Sequence, residues 1–185
     1  MSLDGRSAAA DGTSQWITGE QTREKVHHDR SLHDVIVVGI NTVLVDNPRL
    51  TARTPEGRLY SHQPHAVVVG SRDTPEDAAI REHPDGFRQV RTHDVQAVLA
   101  ELHAENMRSV YVEGGATLAS AFLTARLVDE IHITMGAVLL GGPNLAVTDI
   151  GVATMAEAHH LSITGIQHLG DDMVITARPR EEGSR

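Results

Sequence analysis

The chain is expected to fold as an α/β domain built on a mostly parallel central sheet flanked by helices, with an antiparallel hairpin at its C-terminus. Three observations predict this. Asp34 to Ile40 (DVIVVGI) and Ala66 to Gly70 (AVVVG) are continuous apolar runs of strand length, the pattern of strands covered on both faces. Helical segments alternate with these runs through the middle of the chain. Near the end, Leu161 to His168 and Met173 to Arg178 flank Gly170-Asp171-Asp172, which reads as a hairpin.

Taken in order, Met1 to Thr13 is small, polar and glycine-bearing, hence a loop. Thr18 with Gln21 fits a capping box, so a helix is expected from about Gly19 to about Leu32, anchored by Val26 and Leu32. The strand at Asp34 to Ile40 feeds a loop, Asn41 to Arg53, in which Asp46-Asn47-Pro48 is a turn, because the residue before a proline is pushed out of the helical region. That loop carries Thr42, Asp46, Arg49 and Arg53 away from a buried strand, which is where open α/β sheets place their ligands. Glu56 to His65 reads as exposed loop. The strand at Ala66 to Gly70 delivers Ser71, Arg72 and Asp73 at its end, a short helical piece follows over Pro75 to Glu82, and Pro84-Asp85-Gly86 is a turn. Val95, Val98, Leu99 and Leu102 are spaced as one face of a helix capped by Asp94. Val110-Tyr111-Val112 is a short buried strand, followed by a helix from Ala116, and Glu130 to Met135 alternates as a strand. Asn144 to Glu157 has no clear pattern, and the polar tail from Pro179 to Arg185 is expected to fray.

Composition narrows the function. A chain of 185 residues with 40% apolar and 22% charged residues is most simply one domain with a real core. Aromatic residues are 3% and the net charge is −9 without a basic run, which speaks against nucleic acid and anionic membrane as partners. There is no cysteine, which removes disulfides, thiolate catalysis and cysteine zinc sites, and is compatible with a reducing cytoplasm. No apolar stretch approaches a membrane span, and the first residues lack a signal-peptide core, so a soluble cytoplasmic protein is expected. No G-x-x-x-x-G-K motif is present.

The stretch around which the chemistry gathers is Ser109 to Gly142. Its strand ends on a carboxylate, Glu113, and runs through Gly114-Gly115 into a helix. In such a turn the glycines let a ligand approach the main chain, and the unpaired first N–H groups of the helix favour an anion. The expectation is an anion cradle beside an acidic group. Two adjacent glycines alone are a plain turn as readily as a phosphate site, since the G-x-G-x-x-G spacing is absent.

Three ordered blocks then carry a resemblance. SLDGRSAAADGTSQWIT, GINTVLVDNPRLTAR, and VEGGATLASAFLTARLVDEIHI with VLLGG resemble the reductase domain of riboflavin biosynthesis, a pyrimidine reductase family with a dihydrofolate-reductase-like fold, over nearly the whole chain. The resemblance implies NADPH-dependent reduction of the ribosyl group of 5-amino-6-(5-phosphoribosylamino)uracil to a ribityl chain, and a homodimer. It implies substrate contacts at Ser14, Leu50, Arg53 and Glu113. Cofactor contacts are implied at Trp16, Thr42, Asp46 and Ser71, and along Gly115, Ala116, Thr117, Leu118, Ala119, Ser120 and Ala121. The planar donor fork of Arg53 suits the substrate phosphate, and Arg72 beside Ser71 is placed to take the ribose 2′-phosphate that separates NADPH from NADH. Glu113 and Asp46 are the candidate catalytic carboxylates, positioning the substrate and, through one of them, supplying a proton. Leu118, Phe122, Ala125 and Leu127 have core spacing and are expected to be core, and Trp16 is equally a candidate core anchor.

The chain departs from the family pattern at two places. The family pattern has a strand with a lysine before S-L-D-G, so a start truncated ahead of Met1 is expected, and Gly70 stands where the family commonly has Asp. The zinc deaminase domain to which bacterial members are fused has no motif here. His27 and His28 are adjacent and face different ways on a helix, so no metal site is expected. Two other readings stay open: a reductase of the same fold acting on another heterocycle such as a pterin, and a nucleotide-binding remnant without turnover.

Overall fold

The computed structural model describes residues 1–180; the rest of the tail expected to fray, 181–185, lies outside the described residues. By contacts the chain divides into two compact units, Met1–Arg23 with Phe122–Arg185, and Glu24–Ala121.

The second of these is organised on a four-stranded parallel sheet of order β3-β2-β1-β4, formed by β1 (Val35–Gly39), β2 (His65–Val69), β3 (Phe87–Val90) and β4 (Val110–Val112). The apolar runs read as doubly covered strands are so. Ile36, Val38, Ala66 and Val68 pack with Ile40, Val43, Leu50 and Ile80 on one side, and the alternate residues Val35, Val37 and Val67 are also fully buried. Burying a Val or Ile side chain contributes about 1.5–3 kcal/mol each, which makes the register of these central strands hard to slip.

β3 (FRQV) was not expected, because its side chains are half polar; each has a partner that tertiary structure supplies. Arg88 pairs with Glu101 and Glu105 of α3 (Val95–Ala104), and the Gln89 amide spans Gly70 O, Arg72 O and Thr74. The helix expected at Pro75 to Glu82 shortens to one 3₁₀ turn, Ala79–Glu82. In α3 the Asp94 side chain caps the N–H groups of Gln96 and Ala97, as its position predicts. Gly70 is required where it stands: its φ is +139°, and a Cβ there would run into Ile40.

Asn41 to Asp46 is not loop. It belongs to α2 (Ile40–Asp46), which starts directly from β1 and stops where Asn47 takes the left-handed conformation (φ 43°) before Pro48. Thr42 and Asp46 therefore project from a helix, and the turn at Asp46-Asn47-Pro48 is its C-terminus.

In the other unit the C-terminal hairpin, β6 (Leu161–Leu169) and β7 (Asp172–Pro179), takes in β5 (Ile131–Met135) to make an antiparallel sheet of its own, order β5-β7-β6. Met1 and Ser2 run parallel along β5: the Met1 amino group donates to Thr134 O (2.5 Å) and Gly136 N donates to Met1 O (2.9 Å). Asp4 ties S-L-D-G to V-L-L-G-G, accepting from Ser2 Oγ (2.5 Å), Leu140 N (3.1 Å) and Gly141 N (2.6 Å); these bonds, led by the Ser2 hydroxyl, lower its pKa to about 2. The helix α1 (Glu20–Arg30) begins without the Thr18–Gln21 capping pair among the described residues. Instead the buried Asp172 carboxylate accepts from Gly19 N and Thr22 Oγ1, both at 2.6 Å.

Candidate active site

Glu113 follows β4 and extends its pairing, its N–H donating to Val37 O (2.9 Å). Its carboxylate is gripped by an arginine that no sequence motif marks. Arg30, the last residue of α1, donates from Nε to Glu113 Oε2 (2.7 Å) and from Nη2 to Oε1 (2.5 Å), a two-point fork across 83 residues of sequence. Its third donor, Nη1, reaches Thr51 O (3.0 Å). Burial works against the guanidinium charge, but attraction and hydrogen bonding to Glu113 outweigh it, so the Arg30 pKa is raised.

Thr51 is the hub of this cluster. It is buried, its carbonyl also receives His27 Nδ1 (2.9 Å), and its hydroxyl receives Arg53 Nε (3.0 Å), while Arg53 Nη1 donates to Gly57 O (3.0 Å). Because a carbonyl oxygen can only accept, the His27 proton sits on Nδ1. Burial, then the neighbouring Arg30, lowers the His27 pKa, with the Thr51 bond and Glu113 opposing. Two residues expected at the substrate, Glu113 and Arg53, are thus joined through Arg30 and Thr51. The findable signal was His27 and Arg30 at i, i+3 on one helix face. His28, by contrast, meets the edge of Tyr60. Leu50, expected at the substrate, lies in the core with 3% exposure, and its φ is +54°.

The turn beyond Glu113 meets the requirements of an anion cradle. Gly114 and Gly115 have φ of 83° and 56°, and Cβ atoms built on them would sit 3.3 and 3.2 Å from Thr42 Oγ1. Side chains there would fill the space between the turn and α2. The first bond of α4 (Ala116–Thr124) runs from Ala119 N to Gly115 O, so the N–H groups before Ala119 have no acceptor within the helix. The residues present therefore fit a dinucleotide phosphate at this turn. Within the stretch expected to wrap it, Gly115 and Thr117 are exposed and Ala116, Ala119 and Ala121 half-buried, whereas Ser120 is buried and so is Leu118, as its core spacing predicts.

Asp46 ends α2 with its side chain largely in solvent, yet partial desolvation of the carboxyl raises its pKa, and the C-terminal end of a helix disfavours its charge further. At the end of β2, Ser71 Oγ lies 3.1 Å from His93 Nε2, Arg72 Nη2 donates to Asn41 Oδ1 (3.2 Å), and Arg91 donates to Ser71 O (2.7 Å) and pairs with Asp73. Arg49 makes a surface pair with Glu82. Thr42, Ser71, Arg72 and the Glu113–Gly115 turn lie where β1, β2 and β4 end, whereas Asp46 and Arg49 sit beyond the far end of α2, beside the Ala79–Glu82 turn; a separate cavity lined by Asp34, Tyr60, His62, Gln63, Asp85 and Met107 lies where the strands begin. In the other unit, Ser14 O accepts from Ile17 N (3.0 Å), and Trp16 is 69% exposed with the Arg23 guanidinium 4.6 Å from its ring centroid, so Trp16 is not a core anchor.

The family model described as the RibD C-terminal domain matches residues 1–175. The chain belongs to the RibD C-terminal domain family. Among its relatives, the riboflavin biosynthesis protein RibD of Mycobacterium tuberculosis is 42% identical over 175 residues, covering 95% of this chain and 51% of the relative. This chain therefore spans about half the length of that relative. The 2,5-diamino-6-ribosylamino-4(3H)-pyrimidinone 5′-phosphate reductase of Methanothermobacter thermautotrophicus is 33% identical, with 95% of this chain and 93% of that protein covered. Among solved structures, Acinetobacter baumannii RibD superposes with a TM-score of 0.85 at 30% identity, covering 97% of this chain and 56% of that one. A dihydrofolate reductase from Enterococcus faecalis, with a TM-score of 0.59 at 14% identity over 98% of this chain and 93% of that one, shows that this chain has a dihydrofolate-reductase-like fold.

Proposed function

We propose that this chain is an NADPH-dependent pyrimidine reductase that converts the ribosyl group of 5-amino-6-(5-phosphoribosylamino)uracil to a ribityl chain. The observation that carries this reading is the turn after β4, where an Arg30-held carboxylate adjoins a glycine cradle facing Thr42. NADPH, when bound, supplies the hydride. The chain's own residues bind, orient and protonate. Held by both oxygens, Glu113 keeps lone pairs for a substrate N–H or O–H and fixes that group's direction, which is worth more to the rate than its bond energy alone. Arg53 Nη2, which has no protein partner among the described residues, takes the phosphate ester. Asp46, with its pKa raised, is the better suited of the two carboxylates to give up a proton, because Glu113 is engaged as an acceptor.

Ser71 and Arg72 at the end of β2 are assigned to the adenosine side and its 2′-phosphate. A homodimer and a cytoplasmic setting belong to the same proposal; no helix among the described residues is long and apolar enough to cross a membrane. The proposal treats residues 1–185 as one reductase domain. The test is NADPH oxidation by the purified chain on adding the phosphoribosylaminouracil, with the diaminopyrimidinone named for the archaeal relative as a second substrate. Turnover of the first at the higher kcat/KM is expected. NADPH binding without oxidation of either pyrimidine would overturn the reading.

A further inference from the structure

The Thr51 hub leaves one polar atom unused. The proton on His27 Nδ1 is committed to Thr51 O, so Nε2 carries the free lone pair of a neutral imidazole, and it has no protein partner among the described residues. The charged groups that act on His27 are Arg30 on its own helix, Arg53 on the loop after α2, and Glu113 at the end of β4. Arg30 is neutralised by its fork to Glu113, whereas Arg53 has no carboxylate partner among the described residues and donates only to Thr51 Oγ1 and Gly57 O. The hub thus holds one uncompensated cation beside one imidazole able to become a second. A phosphate monoester carries about −1.5 to −2 charge at neutral pH. Arg53 alone leaves such a group half neutralised, and protonation of His27 at Nε2 completes the match without disturbing the Nδ1–Thr51 bond.

We propose that His27 is a proton-linked ligand for the phosphate monoester of the substrate, acting beside Arg53; this rests on the function proposed above. Without ligand, burial and two nearby guanidiniums keep the imidazole neutral. An arriving dianion reverses the local field, so the imidazole takes a proton from solvent as the phosphate docks. Nε2–H then donates to a phosphate oxygen. Binding of the phosphorylated substrate therefore weakens as pH rises above neutrality, while binding of the unphosphorylated ribose does not.

The probe is ribose 5-phosphate, titrated calorimetrically into the full chain at pH 7 in buffers of different ionisation enthalpy, with ribose as the unphosphorylated control. The wild type is expected to take up about half a proton per phosphate bound. His27→Gln, whose amide can still donate to Thr51 O but cannot titrate, should lose that uptake and about tenfold in affinity for ribose 5-phosphate. A second measurement needs no variant: the His27 imidazole resonance of the wild type should titrate at higher pH with saturating ribose 5-phosphate. Unchanged proton uptake in His27→Gln, an unmoved His27 titration, or no binding of ribose 5-phosphate by the wild type would each overturn the proposal. Turnover is read separately. Proton-linked binding without pyrimidine reduction would leave the phosphate site standing and remove the reductase reading, and the reverse would remove the His27 role alone.

Discussion

Replacing Glu113 by glutamine perturbs one turn that is asked to serve two ligands. The carboxylate accepts two charge-assisted bonds from Arg30, at 2.7 and 2.5 Å, and the two side chains are 27% and 12% exposed, so solvent screening discounts the pair little. An amide can keep one acceptor bond but must turn an N–H₂ group toward the guanidinium at the other. With charged hydrogen bonds worth about 1.5–3 kcal/mol, the expected loss of stability is about 2 kcal/mol, or about 4–8 °C in Tm for a chain of this size. The same misfit rotates the acceptor away from the substrate, for which a fall in kcat/KM of about 100-fold is expected, equivalent to about 2.7 kcal/mol. NADPH should bind within about twofold of wild type, because the cradle is made of backbone N–H groups beyond the side chain. The assay is steady-state oxidation of NADPH well below Tm, paired with fluorescence titration of NADPH. Equal losses of substrate turnover and NADPH affinity would refute the division of roles within the turn.

Gly115→Ala puts a methyl group 3.2 Å from Thr42 Oγ1 at a φ of 56°; it should cost about 1 kcal/mol in stability and weaken NADPH about tenfold, and wild-type NADPH affinity would show the cradle to be misplaced. Asp172→Ala strands the Gly19 N–H and the buried Thr22 hydroxyl and should lower the free energy of urea unfolding by about 3 kcal/mol, with Asp172→Asn less severe because its amide oxygen still accepts; a change under about 0.5 kcal/mol in the alanine variant would remove Asp172 as the cap of α1. Asp4 has a folded pKa of about 2, below its unfolded value of about 4, so its stabilisation is present above the unfolded value and is lost as pH falls through that window. Asp4→Asn should accordingly lie below wild type in Tm near neutrality and converge on it in acid; a Tm gap constant with pH would exclude the Asp4 carboxylate as the cause.

The central strands were legible because a segment buried on both faces must be apolar throughout, and DVIVVGI and AVVVG have no other economical home in water. Asp94 and Asn47-Pro48 were legible for a similar local reason, since capping and pre-proline sterics involve only neighbouring residues. β3 escaped notice because its Arg88 and Gln89 are satisfied by α3 and by the segment after β2, partners that no local pattern records. The extent of α2 has no local signal either, because the helix starts directly from β1 without a side-chain cap.

By itself, the sequence determined the α/β class, the glycine turn after a carboxylate, and the set of polar residues at the ends of β1, β2 and β4, because backbone conformation and burial act over a few residues at a time. Tertiary structure alone decided which of those residues meet. Arg30 grips Glu113 from 83 positions away, Thr51 gathers His27, Arg30 and Arg53 on one residue, and Ser120 is buried within a stretch expected to face a ligand. A charge's partner is set by geometry across the folded chain, and a helix shows only one of its faces to a ligand, so neither could be read from spacing alone.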